Sequence, residues 1–299
     1  MARVHTLLLM AVGVLAVSLS GPLMAAAVVP PLAIAFWRNA MATVVLAPSA
    51  LTTRRRELSS LGRRQLLLVV ASGTALAVHF AAWVTSLTLT SVASATAIVS
   101  LQIAWVVAWQ ILRGERFGPG VVLGLVVAFS GVLVVSGVDF TLSARALAGD
   151  LLALVGGAAA AAYTLVGSRA RQTMSTTTYT FVCYGTAAVL LAAGALASGQ
   201  ALGGYPVDQW LLLVAVTVTA QLLGHSVFNH LLATTSPMLV SLALLLEVPG
   251  AALLAAWLLD QRPPPGALLG LGVIVTGMGL VILTNRRPPV EPVLEPPVD

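Results

Sequence analysis

The sequence contains few charged residues and no lysine, and both features limit the kind of protein it can be. Only 8% of the 299 residues are charged, whereas 59% are hydrophobic and the mean hydropathy is +0.99. Soluble domains carry about 25% charged residues and must cover their surface with polar groups. The composition therefore excludes an ordinary soluble fold and predicts a protein that crosses a membrane several times.

Cysteines and catalytic motifs are also scarce. The one cysteine, Cys183, lies in an apolar stretch, so no disulfide can form within the chain and we predict a packing role for it. The sequence has no HExxH, no GxSxG, no phosphate-binding loop and no cluster of carboxylates. His225 and His230 are five residues apart, a spacing that does not suit a helical metal pair. We therefore expect no catalytic residues, no enzyme activity, no metal and no cofactor.

Long apolar runs are what the sequence has instead. A helix that spans a membrane needs about 20 apolar residues, and the runs lack the alternation of membrane-barrel strands. The first run has features of a signal peptide, but its length and the Gly21-Pro22 pair favour a spanning helix. We predict an all-α membrane protein with ten transmembrane helices, at about residues 6–27, 32–50, 65–86, 91–111, 119–138, 149–168, 177–198, 209–230, 237–259 and 266–284.

The arginines predict the orientation of these helices. All fifteen basic residues are arginines, and twelve of them fall on one side if the ten helices begin with the N-terminus in the cytoplasm. Only Arg38, Arg145 and Arg262 do not. Because cytoplasmic loops carry the excess of basic residues, we expect both termini to be cytoplasmic. The same distribution argues against nucleic acid and for the lipid bilayer as the partner of this charge.

The chain resembles itself at an offset of 146 residues. His79 matches His225, and the stretch 116–131 matches 262–277 at several glycines and leucines. We predict a first five-helix repeat over 1–138, a second over 139–284 and a disordered cytoplasmic tail over 285–299, which is rich in proline. Since five is odd, the two halves must insert with opposite orientation. Inverted repeats are typical of secondary transporters, although duplication can also be merely how a helical bundle grew.

Glycines recur along one face of the last helix of each half. Small faces allow helix backbones to approach closely in lipid, so we predict that these helices form a scaffold or a seam for a homodimer. The cavity should then be lined by the other helices. The glycines predicted to pack are Gly120, Gly124 and Gly131 in the first half and Gly266, Gly270 and Gly277 in the second.

Glu247 is the acidic residue that we single out within a span. An ionised carboxylate at the centre of a bilayer costs about 3 kcal/mol, so it must face the bundle interior or water. It either binds a substrate amine, carries a proton, or accepts hydrogen bonds near Pro249, which should kink the helix. His79 and His225 are candidates for proton transfer, with hydrogen bonding across the bundle as the structural alternative.

Four further residues are candidates for the wall of a cavity. Arg38, near one end of the second helix, either attracts an anionic group or extends to lipid headgroups, and the second interpretation is slightly favoured by its position. Trp105 and Trp109 share a helix face, with Gln102 about one turn before Trp105. They predict an aromatic wall with one polar group, or else a face that contacts lipid.

Several stretches together resemble a known family. The chain from 5 to 284 is similar to the EamA-type members of the ten-helix drug/metabolite transporter superfamily. Val248 separates Glu247 from Pro249, whereas the family usually has these two adjacent. The stretches that carry the resemblance are Pro30–Arg38, Gly114–Arg116, Gly149–Leu154, Gly224–Asn229 and Leu246–Pro249.

The resemblance implies a carrier in the bacterial inner membrane that exports amino acids or other small metabolites. Asn229, the last residue of the stretch Gly224–Asn229, is therefore a further candidate for binding substrate or coupling a proton. Combined with the inverted halves, this predicts a multi-pass secondary transporter that moves a small-molecule substrate by alternating access. The alternative is a membrane scaffold or regulatory subunit that keeps the fold without transport. Gln102 stands where the first repeat of the family often has proline, and Gln261 replaces a second glutamate, the counterpart of Glu115. These departures and Val248 would fit that alternative.

Overall fold

The computed structural model describes residues 2–137, 143–261 and 265–284, and this part of the chain is built from helices without strands. The predicted tail over 285–299, part of the boundary between the repeats, and three arginines of the orientation argument, Arg262, Arg286 and Arg287, lie outside the described residues.

Ten helical segments follow one another in the described chain, and four of them consist of consecutive pieces. We label them α1 (Ala2–Ser18 and Ser20–Ala26), α2 (Pro31–Thr52), α3 (Arg63–Ser86), α4 (Val92–Val99 and Gln102–Leu112), α5 (Pro119–Gly137), α6 (Ala144–Arg171), α7 (Thr176–Ala197), α8 (Val207–Val216, Thr217–His225 and Ser226–Leu231), α9 (Pro237–Leu245 and Glu247–Leu258) and α10 (Pro265–Thr284). A short helix, Arg55–Ser59, lies between α2 and α3.

Eight of these segments are long and apolar enough to cross a membrane. The other two, α5 and α10, contain shorter apolar parts, Pro119–Val134 and Leu268–Val281. The all-α membrane class is therefore confirmed. That α5 and α10 also cross the membrane stays a prediction.

Helices α5 and α10 pack against each other through glycines. A Cβ atom added at Gly124 would lie 2.8 Å from the carbonyl oxygen of Gly277, and one added at Gly131 would lie 2.7 Å from that of Gly270. At the end of the contact, a Cβ at Gly120 would lie 2.6 Å from the Thr284 side chain. These distances leave no room for larger residues. The seam to a second copy stays a prediction, as does a packing role for Gly266.

The order of these contacts shows that equivalent helices run in opposite directions. As α5 proceeds from Gly124 to Gly131, its partner α10 proceeds backwards from Gly277 to Gly270. Helices α2 and α7 are antiparallel in the same way, because Gly185 lies near Thr43 and Gly194 lies near Leu32. Since α2 corresponds to α7 and α5 to α10, the two halves are inverted relative to each other.

The packing of the bundle follows the same two-fold relationship, so that a contact made by helices of one half has a counterpart in the other half. Helix α3 packs on α6, and its counterpart α8 packs on α1, the counterpart of α6. The remaining pairs α2–α7, α4–α9 and α5–α10 each join a helix to its own counterpart. The interior is consequently an interface between the two halves, and both halves contribute to whatever it encloses.

Three helices are interrupted for local reasons. In α9 the break at Leu246 lies three residues before Pro249, which has no N–H to donate to the carbonyl of Leu245. In α1 the break at Leu19 precedes Pro22 in the same manner. Helix α4 has no proline there. Instead the Ser100 hydroxyl donates to the Thr96 carbonyl at 2.8 Å, a bond that favours bending. The π-helical stretch of α8 was not predicted.

Candidate functional site

A chamber lined by both polar and apolar side chains lies inside the bundle, between the two halves. Its volume is about 40 Å³, which is room for a few water molecules. Helices α3, α4, α6, α8 and α9 line it, whereas α5 and α10 do not. The polar residues on its wall include His79, Gln102, Tyr163, His225, Asn229 and Glu247. The structure thus brings five of the residues proposed from the sequence to one place.

The breaks in α4 and α9 both lie at this chamber. Ser100 and Leu246 occupy equivalent positions in the two halves at the offset of 146 residues. The helical pieces that follow the breaks begin at Gln102 and Glu247, and both residues line the chamber. Interrupted helices in corresponding positions of two inverted halves are the feature that marks binding sites in secondary transporters.

Glu247 is held at the start of a helix. It is the first residue of the second piece of α9, its side chain is 8% exposed, and it faces the chamber. The positive end of the helix dipole favours an ionised carboxylate at this position. Pro249 lies in the first turn, where its missing N–H removes no helical hydrogen bond. Within the described residues, the carboxylate has neither a hydrogen bond nor an ion pair with another side chain.

Arg38 lies deep inside the bundle, so the interpretation that it extends to lipid headgroups is wrong. Its side chain is 0% exposed. Nε donates to Gln221 Oε1 at 2.8 Å, and Nη1 donates to Ser20 Oγ at 3.2 Å. The guanidinium carbon lies 4.0 Å from the centre of the Phe80 ring. Arg38 is not part of the chamber wall.

The two equivalent histidines meet on the chamber wall. Their ring centres are 6.4 Å apart. His79 Nδ1 lies 3.0 Å from the carbonyl oxygen of Gly156, and the His79 ring stacks on Trp83 with centres 5.6 Å apart. His225 packs edge-on against Phe80 at 5.2 Å. Glycine at 156 permits this contact, since the α6 backbone lies against Trp83 and His79 there.

Sequence reasoning missed a network of tyrosines beside the chamber. Tyr163 donates to Asn229 Oδ1 at 2.5 Å, and Asn229 Nδ2 donates to the Tyr184 hydroxyl at 3.1 Å. Arg171, which is buried at the end of α6, donates to the backbone carbonyl of Asn229 at 3.0 Å. This network orients Asn229. The one available signal was that the chain has only four tyrosines, three of them inside predicted spans.

The structure does not place Trp105 and Trp109 on the chamber wall. Their side chains are 46% and 40% exposed on the outside of α4, and the aromatic wall predicted there is therefore wrong. Gln102 alone of that group faces the chamber, because it starts the piece of α4 that follows the break. Trp83 of α3 supplies the indole instead. Asp150 was also overlooked: it is a second buried acid, in α6.

Hydrogen bonds join the two halves at one end of the bundle. Gln200 and Gln209 accept from the backbone N–H groups of Leu32 and Val28, at 3.0 and 2.7 Å. Trp37 Nε1 donates to the Leu202 carbonyl at 2.8 Å. We call these contacts the Gln209 clamp; they join the α7–α8 connection and the first turn of α8 to the start of α2 and the residues just before it.

Equivalent contacts join the halves at the opposite end. Glu57 Oε1 accepts from the backbone N–H of Ser175 at 2.6 Å, and Gln65 Nε2 donates to the carbonyl and hydroxyl oxygens of Thr173, both at 3.3 Å. We call these contacts the Glu57 clamp; they join the α2–α3 connection and the first turn of α3 to the residues just before α7. Each clamp ties the connection after α2 or α7 to residues at or just before the start of the other helix, as inversion of the halves requires.

The features of the fold and of the chamber are typical of one class of protein. Inverted halves, interrupted helices and a partly polar chamber at their interface are together the architecture of a membrane transporter. The family model of the EamA-like transporter family matches residues 5–137 and 147–283. The chain therefore belongs to the EamA-like transporter family, and it is a membrane transporter.

Individual proteins are similar over most of the chain. An uncharacterized transporter of Archaeoglobus fulgidus is 23% identical over 263 residues, which cover 86% of this chain and 89% of that protein. A crystal structure of a protein with 18% sequence identity superposes with a TM-score of 0.73 and covers 95% of this chain and 100% of that chain. At this identity the structural likeness establishes the fold.

Proposed function

We propose that the protein is a secondary carrier that moves small metabolites, such as amino acids, out of the cell by alternating access. The observation that carries the proposal is the chamber, which polar residues of both inverted halves line and which lies at the two helix breaks. No ATP-binding motif is present in the sequence, so the driving force would be a gradient of the substrate or of a coupled ion.

The clamps support alternation in particular. Both ends are tied by hydrogen bonds, and the chamber of about 40 Å³ is too small for a metabolite of amino-acid size. Substrate must therefore enter after one clamp opens, and it leaves after the other opens. Two parts of the proposal, the outward direction of transport and the location in the inner membrane, rest on the family resemblance. The cytoplasmic position of both termini rests on the arginine distribution.

Flux into proteoliposomes tests the proposal. The purified full chain is reconstituted and supplied with a panel of labelled amino acids, amines and small carboxylates, with and without imposed proton or sodium gradients. We expect saturable flux of some panel members above that of protein-free liposomes. A protein that is monodisperse and folded but moves no panel member under any gradient would contradict the carrier and favour the non-transporting scaffold.

A further inference from the structure

Glu247 is the one carboxylic acid among the described residues that line the chamber. The residue is 8% exposed and lines the chamber, and its carboxylate has no hydrogen bond or ion pair with another described residue. Buried carboxylates are ordinarily paired or hydrogen-bonded, because desolvation of an unpaired charge costs several kcal/mol. A carboxylate held without a direct partner at the wall of a transport chamber is therefore suited to a partner that arrives from outside.

The nearest cation does not fill that role. Arg38 donates to Gln221 and Ser20 and lies over the Phe80 ring, and it is absent from the chamber wall. No arginine and no lysine lines the chamber at all in the described part of the chain. The wall therefore offers a carboxyl group and no fixed cation, which disfavours a bound carboxylate or phosphate.

The rest of the wall suits an organic cation. Trp83, Tyr163 and Phe228 are aromatic residues of the chamber wall, and aromatic rings attract ammonium groups. The side-chain oxygen of Gln102 and the unprotonated ring nitrogen of His225 can accept hydrogen bonds from an ammonium group. The positive end of the α9 helix is already occupied by Glu247 itself, so it is not available to bind an anionic ligand.

We infer that the substrates are organic cations, namely amines whose ammonium group binds the Glu247 carboxylate inside a cage of aromatic rings. The inference rests on the proposed carrier function and narrows it to a chemical class. Amino acids qualify only if their ammonium group dominates recognition, because the wall has no fixed partner for their carboxylate.

Four compounds of matched size test the inference. They are phenethylamine, phenylacetate, phenylalanine and 2-phenylethanol, which differ in charge but share the ring. Binding to the purified full chain is measured by isothermal titration calorimetry. We expect phenethylamine to bind most tightly, phenylalanine more weakly, and phenylacetate and 2-phenylethanol at least about 30-fold more weakly than the amine. Equal or tighter binding of phenylacetate would overturn the inference.

Substitutions locate the cation site. Glu247→Gln keeps the shape of the side chain and should weaken phenethylamine binding on the order of 30-fold, while Glu247→Asp should retain selectivity for the amine. Glu115→Gln, which removes the same charge outside the chamber, should leave binding unchanged. Wild-type affinity for the amine in a folded Glu247→Gln variant would overturn the assignment. The ranking of the four compounds on the wild type decides the question if Glu247→Gln does not fold.

Flux of the same compounds separates this inference from the proposed function. Transport of phenylalanine and phenylacetate without transport of the amine, corrected for leakage with protein-free vesicles, would refute the cation inference and leave the carrier intact. Selective binding of the amine without flux of any compound would support the cation site and refute the carrier.

Discussion

Arg38 is the residue whose removal should cost the most stability among the polar groups near the chamber. It is fully buried and its guanidinium donates to Gln221 and Ser20. Hydrogen bonds to charged groups contribute about 1.5–3 kcal/mol each. We expect Arg38→Lys to lower the unfolding temperature in detergent. A lysine ammonium cannot reproduce the planar guanidinium geometry that lets Arg38 donate to Gln221 and Ser20 at once. Arg145→Lys, at an exposed site, is the control and should change it little. An unchanged unfolding temperature in Arg38→Lys would contradict the role assigned to Arg38.

Two tryptophans differ in position, and substituting each one tests whether the chamber or the outer surface of the bundle holds the substrate site. Trp83 is 2% exposed and stacks on His79, whereas Trp105 is 46% exposed. We expect Trp83→Leu to raise the KM for transported substrate about tenfold, through loss of an aromatic contact, and Trp105→Leu to leave it unchanged. Measured uptake kinetics check both variants. A larger effect at Trp105 would place the site outside the chamber.

Sequence reasoning found some site residues and not others, and the reason is physical. Glu247, His79 and His225 were identified because polar groups in apolar runs are costly and so stand out. The depth of Arg38 could not be predicted, because its partner Gln221 is 183 positions away in sequence. Tyr163 and Gly156 matter only through contacts with other helices. Such contacts depend on how the halves pack, which no local pattern specifies.

At the scale of whole helices, the α5–α10 contact depends on glycine. A Cβ at Gly131 would lie 2.7 Å from the Gly270 carbonyl oxygen and the same distance from the Ile274 nitrogen. We expect Gly131→Val to separate the helices and lower the folded fraction. Gly272→Val, on the same helix pair but with no atom within 4 Å of the added Cβ, is the matched control. Fluorescence-detected size-exclusion chromatography after heating measures both variants. Equal loss in the two would show that helix propensity and not packing is responsible.

The helices themselves could be predicted more fully than their interruptions. Apolar runs of about 20 residues predicted all ten segments to within a few residues, with α6 longer than expected at Ala144–Arg171. The break in α9 follows from Pro249. The break in α4 has no proline, and the bond that the Ser100 hydroxyl makes there is one that Thr43 and Thr74 also make in uninterrupted helices. The π-helical part of α8, Thr217–His225, likewise has no sequence signal that we recognise.

At the scale of the whole molecule, the Gln209 clamp and the Glu57 clamp tie opposite ends of the bundle. Under the proposed carrier function they open one at a time, so one clamp is open while the other is closed. Weakening one clamp should therefore shift the population of states toward opening at that end, by an amount set by the lost hydrogen bonds. Two lost bonds at about 1 kcal/mol each correspond to roughly a 30-fold shift.

A cysteine in the chamber reports this shift. Thr164 is 2% exposed and lines the chamber, so we place Thr164→Cys in a Cys183→Ala background and label oriented proteoliposomes with a membrane-impermeant maleimide. The double variant Gln200→Ala and Gln209→Ala should speed labelling on the order of 30-fold from the end that carries the α7–α8 connection and slow it from the other. Glu57→Ala with Gln65→Ala should do the reverse, because the equivalent contacts tie the opposite end. Labelling that rises from both ends in either variant would mean that the chain loosens as a whole, and the two-clamp mechanism would fail.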